Sequence, residues 1–138
     1  MANFLIGKGL MLAAVAVVIT VAMASCQIVN NNVAPVGYQR ISPSEAYEII
    51  LNEAGYIILD VRTEEEYAQG HVPGAVLLPD YEIETRAEDV LPNKDQLILV
   101  YCRSGRRSKA AAEALIELGY TNVKDFGGIL DWEYDIEK

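Results

Sequence analysis

The stretch "QLILVYCRSGRRS" (Gln96–Ser108) decides the architecture. Its first half is a short, continuous apolar run, the mark of a strand buried on both faces. Its second half opens a helix at about Arg106, with Ala110, Ala111, Ala114, Leu115 and Leu118 on one stripe and Gly119 as the cap. A buried strand that runs through a tight loop straight into an amphipathic helix is half of a parallel-sheet unit.

The neighbouring segments repeat the alternation. "SPSE" (Ser42–Glu45) is a capping box with proline at the first helical position, and it opens a helix carrying Ala46, Ile49 and Ile50 that ends near Gly55. "YIILDV" (Tyr56–Val61) is another buried strand, and "TEEE" (Thr63–Glu66) is a second capping box with its acids in the first turn. "GHVPGAVLLP" (Gly70–Pro79) reads as a turn and a short strand, and residues 81–91 as a helix broken by "PNKD". "NVKDF" (Asn122–Phe126) reads as a last short strand, followed by "GG" and a terminal helix containing Trp132. The expected fold class is α/β, an open parallel β-sheet flanked by helices on both faces.

The N-terminus stands apart from this domain. Gly9 to Val29 carries no charge, and Lys8 alone supplies a basic side chain before it. That is the form of an export signal, excluded from the fold. The boundary "AMASCQ" resembles the lipobox of bacterial lipoproteins, in which cleavage precedes the cysteine, here Cys26, and the thiol carries lipid. Met23 stands where leucine is usual. An uncleaved anchor and cleavage after "AMA" are the alternatives. The expected organisation is a signal over residues 1–25, a polar tether over 26–37 and a domain over 38–138. All three readings export the domain or hold it at a membrane, with attachment as a lipoprotein on the extracytoplasmic side as the leading one. Gln27, following the lipobox cysteine, implies outer-membrane sorting in bacteria with two membranes, by that resemblance.

The chain's formal net charge is −9, and all twenty acidic residues lie beyond the signal. That charge argues against nucleic acid as a partner. Against it, Arg103, Arg106 and Arg107 crowd one thiol. If Cys26 carries lipid, Cys102 has no internal disulfide partner, and a lone thiol in an oxidising compartment is either buried or used. Cys102 follows a buried strand and precedes a helix N-terminus, where open α/β sheets bind ligands. Inward backbone N–H groups, the helix dipole and the arginines all favour thiolate, and Gly105 permits the sharp loop path. Arginines at a helix N-terminus oppose the dipole, so an anion is expected to compensate them. Cys102 is therefore a candidate nucleophile with a depressed pKa.

Three blocks, "DVRTEEEYAQGHVPGA" (Asp60–Ala75), "YCRSGRRS" (Tyr101–Ser108) and "GGILDW" (Gly127–Trp132), make the chain resemble a single-domain rhodanese, a sulfurtransferase, over about Tyr38 to Trp132. The resemblance implies a rhodanese-like fold and a persulfide on Cys102. A sulfane sulfur from thiosulfate, a persulfide or a polysulfide is taken up and passed to a thiol, to cyanide or to a protein acceptor. It further implies that Arg103, Ser104, Gly105, Arg106 and Arg107 cradle the anionic sulfur, with the arginine at the loop's end helping to hold it. Asp60 and Arg62 are expected to brace the loop by hydrogen bonds. No cofactor is expected, and no metal, since one histidine and one free cysteine offer no ligand spacing.

Rival readings sit beside this one. Cysteine phosphatases of related architecture carry Cys-x5-Arg, whereas Cys102 and Arg107 are spaced Cys-x4-Arg, a smaller cradle suited to a terminal sulfur. Arsenate reduction falls with the same rival. A persulfide carrier or a non-catalytic interaction module is the alternative from another class; the intact cysteine counts against the module. His71, the sole histidine, lies in a turn motif and reads as structural, Trp132 as core, and Glu64–Glu66 as a helix cap with a solvated face.

Overall fold

The computed structural model describes residues 37–138. The expected signal, Cys26 and the expected tether up to residue 36 lie outside the described residues. Five parallel strands form one sheet: β1 (Gly37–Arg40), β2 (Tyr56–Asp60), β3 (Val76–Leu77), β4 (Leu97–Cys102) and β5 (Asn122–Gly128), in the order β1-β5-β4-β2-β3. Four helices connect them: α1 (Pro43–Asn52), α2 (Glu64–Gln69), α3 (Ile83–Val90) and α4 (Arg106–Glu117). The open parallel sheet expected from the alternation is the one observed.

Local chemistry sets the helix starts. Ser42 caps α1 and Thr63 caps α2, each in a complete capping box with Glu45 and Glu66 respectively. Such a cap contributes about 1 kcal/mol. α4 starts differently, from Gly105 in the left-handed region (φ +96°) with no side-chain cap. Its first N–H groups are thereby left for the cysteine.

The two faces of the sheet bury separate cores. Leu59, Ile98, Val100 and Cys102 point to one face, against Ile83 and Ala87 of α3 and Ala111, Ala112 and Leu115 of α4. Ile58, Leu99, Tyr101 and Phe126 point to the other, against Ala46 of α1, Val72 and Trp132. This period of two, buried on both sides, is why the strands read as unbroken apolar runs.

From β2 the chain proceeds outward to β3, then returns to β4 on the opposite side of β2. The connections after β2 and β4 therefore diverge, which makes the carboxyl ends of these two strands the switch point of the sheet. Asp60 ends β2 and Cys102 ends β4.

Two expectations need correction. The terminal helix containing Trp132 does not form: a single 3-10 turn spans Ile129–Asp131, and Trp132 leaves it with extended backbone (φ −85°, ψ 110°). The remaining residues run as a strap, with Glu137 pairing antiparallel to His71. Aromatic packing decides this, since Trp132 contacts Phe126, Tyr47 and Tyr134, and Tyr134 stacks on Tyr47 at 3.6 Å. So few residues also cannot repay helix nucleation. In addition β1, which the sequence pattern did not suggest, takes Gly37–Arg40 and pairs with β5. β5 itself continues through both glycines of "GG".

Gly128 shows how tightly the cysteine loop lies on the sheet. A Cβ there would fall 2.6 Å from the Ser104 Cα and closer still to the Arg103 carbonyl oxygen. Only glycine lets β5 pass beneath this loop.

Candidate active site

Strand β4 carries Cys102 to the switch point, where the residue is buried. The chain then reverses over three residues, and the Gly105 N–H donates to Cys102 Sγ at 3.0 Å. Burial is the largest single influence on this thiol and pushes its pKa up. Donors from Ser108, Gly105 and Ser104 outweigh it, and the net displacement is downward. The Ser108 hydroxyl has one proton, and Asp125 accepts it at 2.7 Å. The backbone N–H groups of the loop and of the first turn of α4 therefore carry most of the effect.

The three sequence-adjacent arginines separate in space. Arg103 and Arg106 are exposed. Arg107 turns back onto α2 and grips Glu66 through two parallel bonds, Nη1 to Oε2 at 2.7 Å and Nη2 to Oε1 at 2.8 Å. Glu66 therefore does more than cap α2: it is the protein's own counter-anion for the last loop arginine. Its carboxyl is held at about 2, chiefly by the Arg107 hydrogen bonds. Part of the anion expected from the arginine cluster is internal.

Asp60 and Arg62 do not bond the loop, contrary to expectation. The buried Asp60 carboxylate accepts from Arg62 Nη2 at 2.6 Å, from the Arg62 backbone N–H at 2.9 Å and from the Tyr101 hydroxyl at 2.5 Å. Arg62 Nη2 also donates to the Gly70 carbonyl at 2.8 Å. Any bracing passes through Tyr101, one residue before Cys102, whose hydroxyl also accepts from the Val72 N–H at 3.1 Å. His71, expected to be structural from its turn motif, is engaged in contacts that hold that turn. Its ring stacks on Tyr67 at 3.7 Å, Nδ1 lies 3.0 Å from the Tyr67 carbonyl oxygen and Nε2 3.2 Å from Glu137 Oε1. Among the described residues no cluster of histidine, cysteine and carboxylates could hold a metal ion.

The residue missed at the sequence level is Asp125. In the middle of β5 and buried, it accepts from Arg40 Nη1 (2.6 Å), the Ser108 hydroxyl (2.7 Å), the Gly127 N–H (2.8 Å) and the Tyr38 hydroxyl (3.3 Å). It thereby fixes the first turn of α4, which supplies donors to Cys102. Arg40 brings a further guanidinium to the site, from β1. It spreads over Gly105 and Gly127, where an added Cβ would lie 3.1 and 2.6 Å from Arg40 Nη2. The available signal was a single acid inside a run otherwise readable as a buried strand, because such a charge requires partners.

A thiol whose pKa is drawn below the ordinary value, delivered to a donor-lined loop at the switch point of a parallel sheet, defines a rhodanese-type domain. Residues 42–135 match the rhodanese-like domain family, and the chain belongs to it. Among its relatives is thiosulfate sulfurtransferase PspE of Escherichia coli, 44% identical over 73 residues, which are 53% of this chain and 70% of that protein. Another is the chloroplastic thiosulfate sulfurtransferase 16 of Arabidopsis thaliana, 37% identical over 105 residues, 67% of this chain and 84% of that one. A solved structure of an E. coli rhodanese with anions superposes with a TM-score of 0.57 at 40% identity, covering 60% of this chain and 98% of the other. A rhodanese-related protein from Thermoplasma volcanium gives 0.63 at 32% identity over 72% and 98%. At the level of the family, the chemistry of these relatives is sulfur transfer.

Two outcomes follow for the site. Asparagine at 125 has one acceptor oxygen for four donors, so Asp125→Asn should cost about 2–4 kcal/mol in denaturant unfolding. It should also move the pH midpoint of Cys102 alkylation up towards the ordinary thiol range. The Glu66 carboxyl titrates lower in the folded chain than its ordinary 4.5, so its contribution is present above about pH 4.5 and is lost as pH falls towards about 2. Wild type should therefore exceed Glu66→Gln by on the order of 2 kcal/mol near neutrality. Unfolding curves at descending pH should show that gap closing across this window.

Proposed function

We propose that the protein is a sulfurtransferase that carries a sulfane sulfur as a persulfide on Cys102. The observation that carries this reading is the Gly105 N–H donating to a buried Sγ whose pKa lies below the ordinary thiol value. In the loading step the Cys102 thiolate attacks the outer sulfur of thiosulfate. A sulfur–sulfur bond forms to Sγ, the donor's sulfur–sulfur bond breaks, and sulfite leaves with the electron pair. A persulfide or polysulfide donor reacts in the same way, with a thiolate or shorter polysulfide leaving. A thiol or cyanide then removes the sulfur and regenerates the thiolate.

The cradle suits this chemistry better than phosphoryl transfer. Cys102 is buried, and its loop closes within three residues onto the sulfur, a tight cradle that suits a slender terminal atom better than a tetrahedral group. Arg107, which a tetrahedral anion would need, is committed to Glu66. The relatives named thiosulfate sulfurtransferases support thiosulfate as donor. A carrier that hands its sulfur to one protein partner has support from a relative named as a putative sulfur carrier protein, YrkF of Bacillus subtilis, 42% identical over 54% of this chain.

Incubation of the protein with thiosulfate should add one sulfur atom by mass, and the Cys102→Ser variant should gain none. Absence of both mass gain and thiocyanate formation from cyanide would overturn the sulfurtransferase reading; mass gain without turnover would select the carrier.

We further propose that Cys26 is lipidated after removal of residues 1–25, which would hold the domain at the membrane on the extracytoplasmic side. The uncharged stretch from Gly9 to Val29 and the "AMASCQ" boundary support this. In a bacterial host, wild type should fractionate with membranes and Cys26→Ser should be released or remain unprocessed. Equal membrane recovery of both at the mature mass would defeat the lipoprotein assignment.

A further inference from the structure

Beside the cysteine loop runs a groove of about 380 Å³. One wall includes Arg103, the residue that follows Cys102, and Glu66. The other is built by Leu130 of the 3-10 turn and by Trp132, Tyr134 and Ile136 of the C-terminal strap. The two walls differ in chemistry. Arg62, which also lines the groove, is paired with Asp60, and Glu66 is already neutralised by Arg107, whereas Arg103 is exposed and has no ion-pair partner among the described residues. The uncommitted charge of the groove is therefore positive, within a chain of net charge −9.

The apolar wall is held rigidly although it faces water. Leu130 is 65% exposed and Ile136 50%, two of the few large apolar side chains left in solvent. The Leu130 N–H donates to the Arg103 carbonyl at 3.2 Å, which ties this wall to the cysteine loop. The far end of the strap is tied by the paired backbones of His71 and Glu137, and Glu137 Oε1 accepts from the Gly74 N–H at 2.9 Å. Exposed apolar groups fixed beside a reactive centre make a preorganised surface for an apolar ligand.

We propose that this groove seats the sulfur acceptor, an organic thiol with a carboxylate near its sulfur and an apolar arm beyond it. The carboxylate meets Arg103 while the arm lies along Leu130 and Ile136, and the thiol is left at the cysteine loop. This assignment rests on the persulfide reading of Cys102. In the transfer step the acceptor, having lost its proton to solvent, attacks the outer sulfur of the protonated persulfide. A bond forms between those two sulfurs, the bond from the outer sulfur to Sγ breaks, and the electron pair stays on Sγ as the stabilised thiolate. The acceptor leaves as its persulfide, carrying the outer sulfur's proton, and sulfur is neither oxidised nor reduced overall.

Trp132 is the chain's one tryptophan and lies in this groove, so its emission reports occupancy directly. The probe is S-methyl N-hexanoylcysteine, which has the carboxylate and the arm but cannot accept sulfur. Titrated into the full-length protein in detergent, it should produce a saturable change in Trp132 emission, about tenfold weaker in affinity for Leu130→Ser and for Arg103→Gln. With Cys102 loaded, kcat/KM for N-hexanoylcysteine should exceed that for N-acetylcysteine and for the methyl ester of N-hexanoylcysteine by about tenfold each. Leu130→Ser should erase the first preference and Arg103→Gln the second. No saturable emission change, equal binding by wild type and Leu130→Ser, or equal rates with the three thiols each overturns the proposal. If Cys102 takes up no sulfur, the mass measurement rejects the persulfide reading, while the emission titration still decides the groove.

Discussion

The Asp125 carboxylate is the interaction on which the cysteine loop depends. It lies under the start of α4 without solvent contact, and its acceptor capacity is filled by four donors from β1, β5 and α4. Burying a charge is costly unless every contact is made, and here every contact belongs to a segment that shapes the loop. Ser108 is held where its backbone can donate to Cys102, Gly127 is held where β5 turns under the loop, and Arg40 is drawn across Gly105. The register between β4 and β5 shifts at this point, from Val100 opposite Asp125 to Tyr101 opposite Gly127. The shift gives the sheet a local irregularity where the site needs one.

Charge is distributed on two scales. The chain as a whole is strongly acidic, yet the end of the sheet that carries Cys102 gathers guanidinium groups from three sequence regions: Arg40, Arg62 and the loop. Each guanidinium nearest the fold has its own carboxylate, Asp125, Asp60 and Glu66 respectively. These pairs build a rigid frame in which the strongest positive charges are spent on structure. The thiolate is consequently stabilised at short range by oriented N–H groups, which lose nothing to reorganisation when charge develops. Arg103 and Arg106 remain exposed, with no ion-pair partner among the described residues.

Much of this could be read along the chain. Both capping boxes, the buried strands and the amphipathic helix after Cys102 are local patterns, and they appear where the spacing put them. Elements whose stability comes from partners far along the chain were less visible. β1 has four residues and no apolar run; it exists because β5 offers an edge. The terminal segment contains a plausible helical start, but aromatic contacts of Trp132 and Tyr134 with Tyr47 are worth more than one short turn. Within the site the nucleophile and Gly105 were legible, since a thiol between a buried strand and a helix N-terminus is itself a local arrangement.

The arginines mark the boundary between the two kinds of information. Adjacency along the chain placed Arg103, Arg106 and Arg107 near the thiol, and composition made them anomalous in an acidic background. Which of them is free to meet a ligand depends on Glu66, 41 residues earlier in the chain, and the loop's shape on Asp125, 17 residues after Ser108. Backbone-local features (caps, periodicity, the strand–loop–helix order around Cys102) follow from the sequence alone, because neighbours in the chain are neighbours in space. Pairing between charges separated by whole elements is settled only when the sheet brings their strands and helices together, because a buried ion pair requires geometry that no local pattern encodes.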